Sequence, residues 1–189
     1  MQHHIIAIVG MCGSGKSVVT EWFCNNGYYQ IHFGDFTMIE VKRRNLPVTE
    51  SNEKKIREEL RKEHGPDAYA KLALPQINQM LSVGNVVIDG MYSWSEYKFL
   101  KERFNNRILV VSIVSDLRIR KLRLSTRTIR PLTSEEVDKR DYAEIENIEK
   151  GGPISHADYF ICNNSGLDDL IFQCNEVFKC INSHLQNES

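Results

Sequence analysis

The sequence predicts an α/β protein in which one parallel sheet of five strands is covered by helices on both faces. Three observations predict it. Five short apolar runs, most of them rich in β-branched residues, recur along the chain at strand length. Stretches with helical spacing separate them, the alternation that builds parallel sheets. Finally, Gly10, Asp35, Asp89 and the pair Ser115 and Asp116 fall at the C-terminal ends of these runs, the edge at which open parallel sheets hold ligands.

Each element follows from its residues. His4-Ile5-Ile6-Ala7-Ile8-Val9 has no polar face, as expected of a strand buried on both sides, and Gly10 ends it. Val18, Val19, Trp22 and Phe23 give residues 17–25 helical spacing, which Asn26-Gly27 stops. Residues 28–33 read as the second strand, with Gly34-Asp35 at its end. From residue 36 to 81 the pattern is helical, with breaks expected near Pro47, Gly65-Pro66 and Pro75. Within it Ser51 is positioned to cap a helix that turns Ile56 and Leu60 one way and Arg57 and Arg61 toward solvent or a ligand. Residues 85–89, 107–114 and 158–162 supply the remaining strands, and an amphipathic helix over residues 167–185 closes the chain. No repeat, low-complexity segment or linker divides it, so its 189 residues are expected to form one domain.

Composition narrows the class. With 41% hydrophobic and 26% charged residues the chain reads as a soluble globular protein, and its net charge of −1 gives no reason to expect a nucleic-acid partner. No run approaches the roughly 18 apolar residues of a membrane span. The N-terminal residues carry neither a basic leader nor a small-residue cleavage site, which points to the cytoplasm. Five cysteines with no Cys-x-x-Cys pair, and no histidine at zinc-finger spacing, argue against a disulfide framework and against structural zinc.

The chemistry begins at the first strand-to-helix turn. Gly10-Met11-Cys12-Gly13-Ser14-Gly15-Lys16-Ser17 matches G-x-x-x-x-G-K-[ST] in full, in the setting that motif requires. Glycines let the backbone wrap a phosphate chain and aim N–H groups inward, and the helix that follows adds the positive end of its dipole. Lys16 can span the β- and γ-phosphates, the Ser17 hydroxyl can ligate Mg²⁺, and Cys12 is a small filler. The expected fold is therefore the three-layer P-loop NTPase fold, binding ATP or GTP with Mg²⁺.

Two acids follow. Asp89, after Val86-Val87-Ile88, is the candidate Mg²⁺ aspartate, and capping a helix is its plainer role. Asp35 is positioned to orient or deprotonate an acceptor, or to help hold Mg²⁺, with capping again as the alternative. Between Arg118 and Arg130 stand five arginines, one lysine and no acid. Together with Arg140 they suggest a lid over residues 118–142 that closes on the transferred group and excludes water. A solvated face paired with Glu135, Glu136, Asp138 and Asp141 is the competing reading. Met91-Tyr92-Ser93-Trp94 could line an acceptor pocket or simply pack.

Taken together these residues resemble the P-loop small-molecule kinases: nucleoside monophosphate kinases such as adenylate kinase, and dephospho-CoA kinases. The likeness is nearest to the adenylate-kinase-like proteins of archaea and bacteria and extends over roughly residues 4–165. Beyond the motif and the lid it rests on Lys42-Arg43-Arg44-Asn45-Leu46-Pro47, Leu60-Arg61 with Gly65-Pro66, Val87-Ile88-Asp89-Gly90, Arg140-Asp141 with Glu144, and Ala157-Asp158 leading to Asn163-Asn164. The resemblance implies that Gly13, Gly15, Lys16 and Ser17 hold the donor phosphates and that Asp35 sits at the acceptor. It implies further that Arg118 or Arg123 covers the donor, that Arg127, Arg130 and Arg140 form the lid group, and that residues 36–82 build the acceptor-binding helical region. One departure stands out: relatives place an arginine soon after the Asp-Gly of the third strand, where this chain has Met91-Tyr92-Ser93. The activity so implied is transfer of a γ-phosphoryl group to a nucleotide-like acceptor, most simply a nucleoside monophosphate. Dephospho-CoA is the alternative acceptor, and an NTPase switch acting on a macromolecular partner is the alternative class.

Overall fold

The computed structural model describes residues 3–128 and 131–187. Five strands, β1 (Ile5–Val9), β2 (Tyr29–His32), β3 (Val86–Asp89), β4 (Ile108–Val114) and β5 (Tyr159–Cys162), form one parallel sheet in the order β2-β3-β1-β4-β5. Each begins within a residue or two of its predicted start; for β1, β3 and β4 the reason is that an apolar run bounded by polar or glycine residues leaves little freedom in where a buried strand can end.

Alternation along the strands divides the core in two. Ile5, Ala7, Val9, Ile31, Val86, Ile88 and Val110 face one layer, made by α2 (Gly34–Arg43), α3 (Glu50–His64), α4 (Ala68–Leu81) and α5 (Trp94–Phe104). Ile6, Ile8, Val87, Leu109, Val111 and Ile161 face the other, where α1 (Lys16–Asn25) contributes Val19 and Phe23 and α9 (Leu167–Asn187) contributes Leu170, Cys174 and Ile181. A third, small cluster joins Cys12 to Leu124 of α6 (Leu117–Ser125) and Val137 of α7 (Ser134–Ile148). It ties the loop after β1 to the two helices that carry Arg118, Arg120, Arg123 and Arg140. Short α8 (Gly151–Ser155) links α7 to β5. All five cysteines are free thiols.

Several local expectations change. Pro75 does not break α4, although it lacks the N–H that would bond the Lys71 carbonyl. Lys71 lies on the exposed side, where water can take that carbonyl, while Ala68, Tyr69, Ala73, Ile77 and Leu81 hold the helix to the core. The cap of α3 is Thr49, not Ser51: its hydroxyl accepts from the Asn52 N–H at 3.3 Å. Helix α5, unread in the sequence, starts at a capping box in which Ser93 and Glu96 satisfy each other's N–H groups. Asp35 belongs to the first turn of α2 and not to the end of β2, which stops at His32.

Beginning from β1, the chain lays down β2 and β3 on one side of it and then crosses to lay down β4 and β5 on the other. The crevice at such a crossing opens at the C-terminal ends of the central strands. Register brings Ile8, Asp89 and His32 side by side there.

Candidate functional site

The loop between β1 and α1 is shaped by three glycines in conformations that other residues rarely adopt: Gly10 at φ 147°, Gly13 at φ 80° and Gly15 at φ 100°. Space forbids side chains as well. A β-carbon on Gly10 would come within 2.4 Å of the Ile113 carbonyl oxygen, and one on Gly15 within 2.2 Å of the Asn163 amide nitrogen. Gly15 opens α1, so the positive end of that helix faces the loop. Lys16 folds back over it and donates from Nζ to the Met11 carbonyl at 3.1 Å. Burial, reinforced by the neighbouring ammonium of Lys150, lowers the Lys16 pKa to about 8.

The rest of the fold holds this loop from behind. Asn163, just past β5, donates from Nδ2 to the Ser14 carbonyl at 2.8 Å. Ser115 donates to the Asn163 carbonyl at 2.7 Å, and Arg123 grips the same residue, with Nη1 on its carbonyl at 3.0 Å and Nη2 on Oδ1 at 3.1 Å. Arg120 performs the same service at the loop's other end. Its Nη1 donates to the Cys12 carbonyl at 3.1 Å, and Nη2 pairs with Asp141 at 2.7 Å, both residues being buried.

In front of the loop, Ser17, Gln30, His32, Asp35 and Asp89 line one cleft of about 430 Å³. Among the described residues nothing hydrogen-bonds the Asp89 carboxylate or the Ser17 hydroxyl, and no cluster of three acidic, histidine or cysteine side chains could cage a metal unaided. One hydroxyl and one carboxylate at a phosphate-shaped loop fit Mg²⁺, which is held by one or two protein oxygens with phosphate and water completing its shell. Asp35 is exposed and accepts a hydrogen bond from, or shares a proton with, His32 Nδ1 at 2.9 Å.

Beside this cleft lies a second charged group. Glu144 Oε2 accepts from Lys150 Nζ at 2.6 Å, and Oε1 accepts from Arg140 Nε at 3.0 Å. Burial would raise the Glu144 pKa, but Lys150 and Arg140 outweigh it and hold the carboxyl below its ordinary value. Deeper in, Glu96 accepts from the Tyr92 and Ser93 N–H groups through Oε2, while Oε1 is buried without a partner among the described residues. Burial pushes Glu96 up to about 7. A carboxyl whose folded pKa lies above its unfolded value of 4.5 binds more protons in the native state, so stability falls as pH rises from about 4.5 to 7. Glu96→Gln is expected to remove that decline; urea melts at pH 5 and pH 7.5 would check it, and an equal decline in the variant would contradict the assignment.

The structure thus brings Ser17, Asp89 and Asp35 to one crevice, with Lys16 folded over the loop that backs it. It gives Arg123 a different occupation from the one expected of a lid residue, since the guanidinium is spent on Asn163. Helix α6 is not a free flap, because Arg120 and Leu124 pack against Gly13. Arg118 and Arg127 are exposed, Arg140 is half-exposed beside Glu144, and Arg130 lies outside the described residues. Arg120, Asn163, Lys150 and Glu144 were not singled out as site residues in the sequence. Asn163 carried a usable signal, its place at the C-terminal end of a parallel strand, whereas nothing local distinguishes Arg120 from its neighbours or Lys150 from a surface lysine.

With this geometry in hand, comparison with known proteins is informative. A family of AAA domains matches residues 6–147. A UPF0200 protein of Thermococcus kodakarensis is 34% identical over 169 residues, 87% of this chain and 91% of its own, and one of Pyrococcus furiosus is 37% identical over 170 residues, covering 88% and 91%. Among solved structures, a gluconokinase from Sinorhizobium meliloti superposes with a TM-score of 0.65 at 18% identity, covering 100% of this chain and 98% of its own. A shikimate kinase from Bacteroides thetaiotaomicron gives 0.61 at 14%, covering 95% and 98%. These likenesses establish the P-loop kinase fold. No described helix is long and apolar enough to cross a membrane.

Proposed function

The chain belongs to the AAA domain family and to the UPF0200 proteins, and from that premise we propose that it is a small-molecule phosphotransferase, moving the γ-phosphoryl group of ATP or GTP to a nucleotide-like acceptor. The single observation that carries the reading is the crevice in which Ser17, Asp89 and Asp35 converge before a glycine-shaped loop that Lys16 folds over. Phosphoryl transfer asks little covalent chemistry of a protein; it needs the donor fixed, charge balanced and an acceptor oriented in line. The loop amides and Lys16 would hold the donor phosphates. Ser17 and Asp89 would hold Mg²⁺, which, when bound, neutralises charge developing between the β- and γ-oxygens.

Asp35 would meet the acceptor. Its pairing with His32 orients the carboxylate, and its exposure leaves it open to an incoming hydroxyl or phosphate. The helices of residues 36–82 supply the acceptor wall. Arg61 of α3 lines a second cleft of about 420 Å³ and stacks over Tyr69, the centre of its charge 5.1 Å from the ring centroid. A nucleoside monophosphate, which carries both a base and an anion, suits such a wall. We take residues 1–189 to work as one domain in the cytoplasm, with Arg127 and Arg140 on the closing side.

Saturating the protein with Mg²⁺·ATP or Mg²⁺·GTP and a panel of nucleoside monophosphates and dephospho-CoA, then following diphosphate formation, tests the proposal. Turnover that waits for one small acceptor is expected, and the acceptor that triggers it separates the two substrate classes. Steady hydrolysis without any acceptor would replace the kinase reading with that of a hydrolytic switch. Arg127→Ala is expected to lower kcat roughly 10- to 100-fold while changing KM for the triphosphate less than about threefold, because a closing contact forms fully only in the transition state. A change confined to KM would make it a ground-state anchor.

A further inference from the structure

Lys150 is the one lysine among the described residues that the fold buries, at 2% exposure. Lysines at helix ends ordinarily extend their ammonium to water. Here the backbone turns it inward. Glu149 adopts a left-handed conformation at φ 53°, ending α7, and the Lys150 N–H returns to the Glu144 carbonyl at 3.1 Å. The side chain then runs beneath the surface, its Nζ on Glu144 Oε2 at 2.6 Å and 5.0 Å from the centre of the Tyr92 ring.

Tyr92 fixes where that is. Its ring covers Gly90, where an added β-carbon would come within 2.8 Å of the phenol oxygen, and Gly90 directly follows Asp89 of the cleft. Lys150 therefore stands over the end of β3, near enough to Lys16 for the two ammoniums to repel. An ammonium has three donors, and among the described residues Glu144 is the one hydrogen-bond acceptor that Lys150 reaches. Lys150 and Arg140 share the one carboxylate of Glu144, and Lys16 is hydrogen-bonded to the Met11 carbonyl rather than to a carboxylate. Two neighbouring ammoniums with donors to spare, one of them buried, form a site that an anion completes.

We propose that Lys150 is a second phosphoryl-binding residue, held in reserve by Glu144 and directed at the terminal phosphate of a bound nucleoside triphosphate. The inference rests on the nucleotide-binding reading above and deepens it: Lys16 grips the phosphate chain along the loop, and Lys150 approaches the terminal group from the side of β3. Glu144 keeps Arg140 as its partner when the ammonium moves, so the carboxylate is not abandoned.

Calorimetric titration of the full chain with Mg²⁺ and either ADP or a non-hydrolysable ATP analogue, imidodiphosphate-linked, tests it without relying on catalysis. The unsubstituted protein is expected to prefer the analogue. In Lys150→Met combined with Glu144→Gln, a pair that leaves no buried charge stranded, that preference should shrink by about 10- to 100-fold, the worth of one charge-assisted hydrogen bond, while ADP affinity stays within about threefold. Glu144→Gln alone, which frees the ammonium, should strengthen the analogue several-fold. An unchanged preference in either variant, or loss of ADP and analogue affinity in step, overturns the proposal and leaves Lys150 a structural tie between α7 and α8. If the unsubstituted protein bound neither ligand, the nucleotide reading itself would fall, and this inference with it.

Discussion

Lys16→Met is expected to lower turnover by about 10²- to 10³-fold without lowering stability. The magnitude is that of removing one preorganised donor from a site where charge develops in the transition state. The separation of activity from stability comes from burial. Because burial lowers the Lys16 pKa to about 8 from 10.5, the protonated side chain opposes folding at neutral pH. The unfolded chain holds that proton more firmly, so stability rises with pH between about 8 and 10.5, and methionine, which keeps the volume and drops the charge, should abolish that slope. Diphosphate formation under saturating substrate and thermal melts at pH 7 and pH 9.5 measure both halves. Turnover within threefold of the parent would remove Lys16 from the chemistry.

Asp141→Ala should produce the largest loss of stability, about 3–5 kcal/mol, because it leaves the Arg120 guanidinium buried without its counter-charge. For a domain of this length that corresponds to a fall in Tm of roughly 6–20 °C. The cause can be separated from simple loss of a favourable pair. Arg120→Met with Asp141→Leu removes both charges and should recover most of the stability. It should still bind nucleotide more weakly, since the Cys12 carbonyl has lost the donor that fixes the loop. Recovery of affinity along with stability would mean that Arg120 does nothing for the loop beyond holding α6 to α7.

These two residues also mark how far the sequence could be read. Lys16 was legible because its role depends on neighbours a few positions away: a strand must end, glycines must turn the backbone and a helix must begin, all within the span of residues 5–25. The three central strands were legible for the same kind of reason, β1, β3 and β4 being apolar runs buried almost throughout, while the two edge strands were read from shorter runs of mixed polarity. Asp141 entered the reading as a partner for a solvated arginine face and as one piece of the family resemblance, never as the partner of Arg120, since an acid on a polar helix looks the same in sequence whether water or a buried guanidinium lies opposite.

Arg123 shows the same limit from the other side. In sequence it is one of five arginines in a row of candidates for closing on a phosphate; in the folded chain it is bonded to Asn163, 40 positions away, behind the loop. Lys150 meets Glu144 only because Glu149 takes a left-handed turn that no residue pattern announces. By itself, then, the sequence determined the sheet, the phosphate-shaped loop and the place of Asp89 at the end of β3, because hydrophobic periodicity and backbone freedom are properties of short segments. The tertiary structure alone decided which cations are locked behind the loop and which face the crevice, because the sign and strength of a charge's interactions depend on burial and on partners brought together from distant segments.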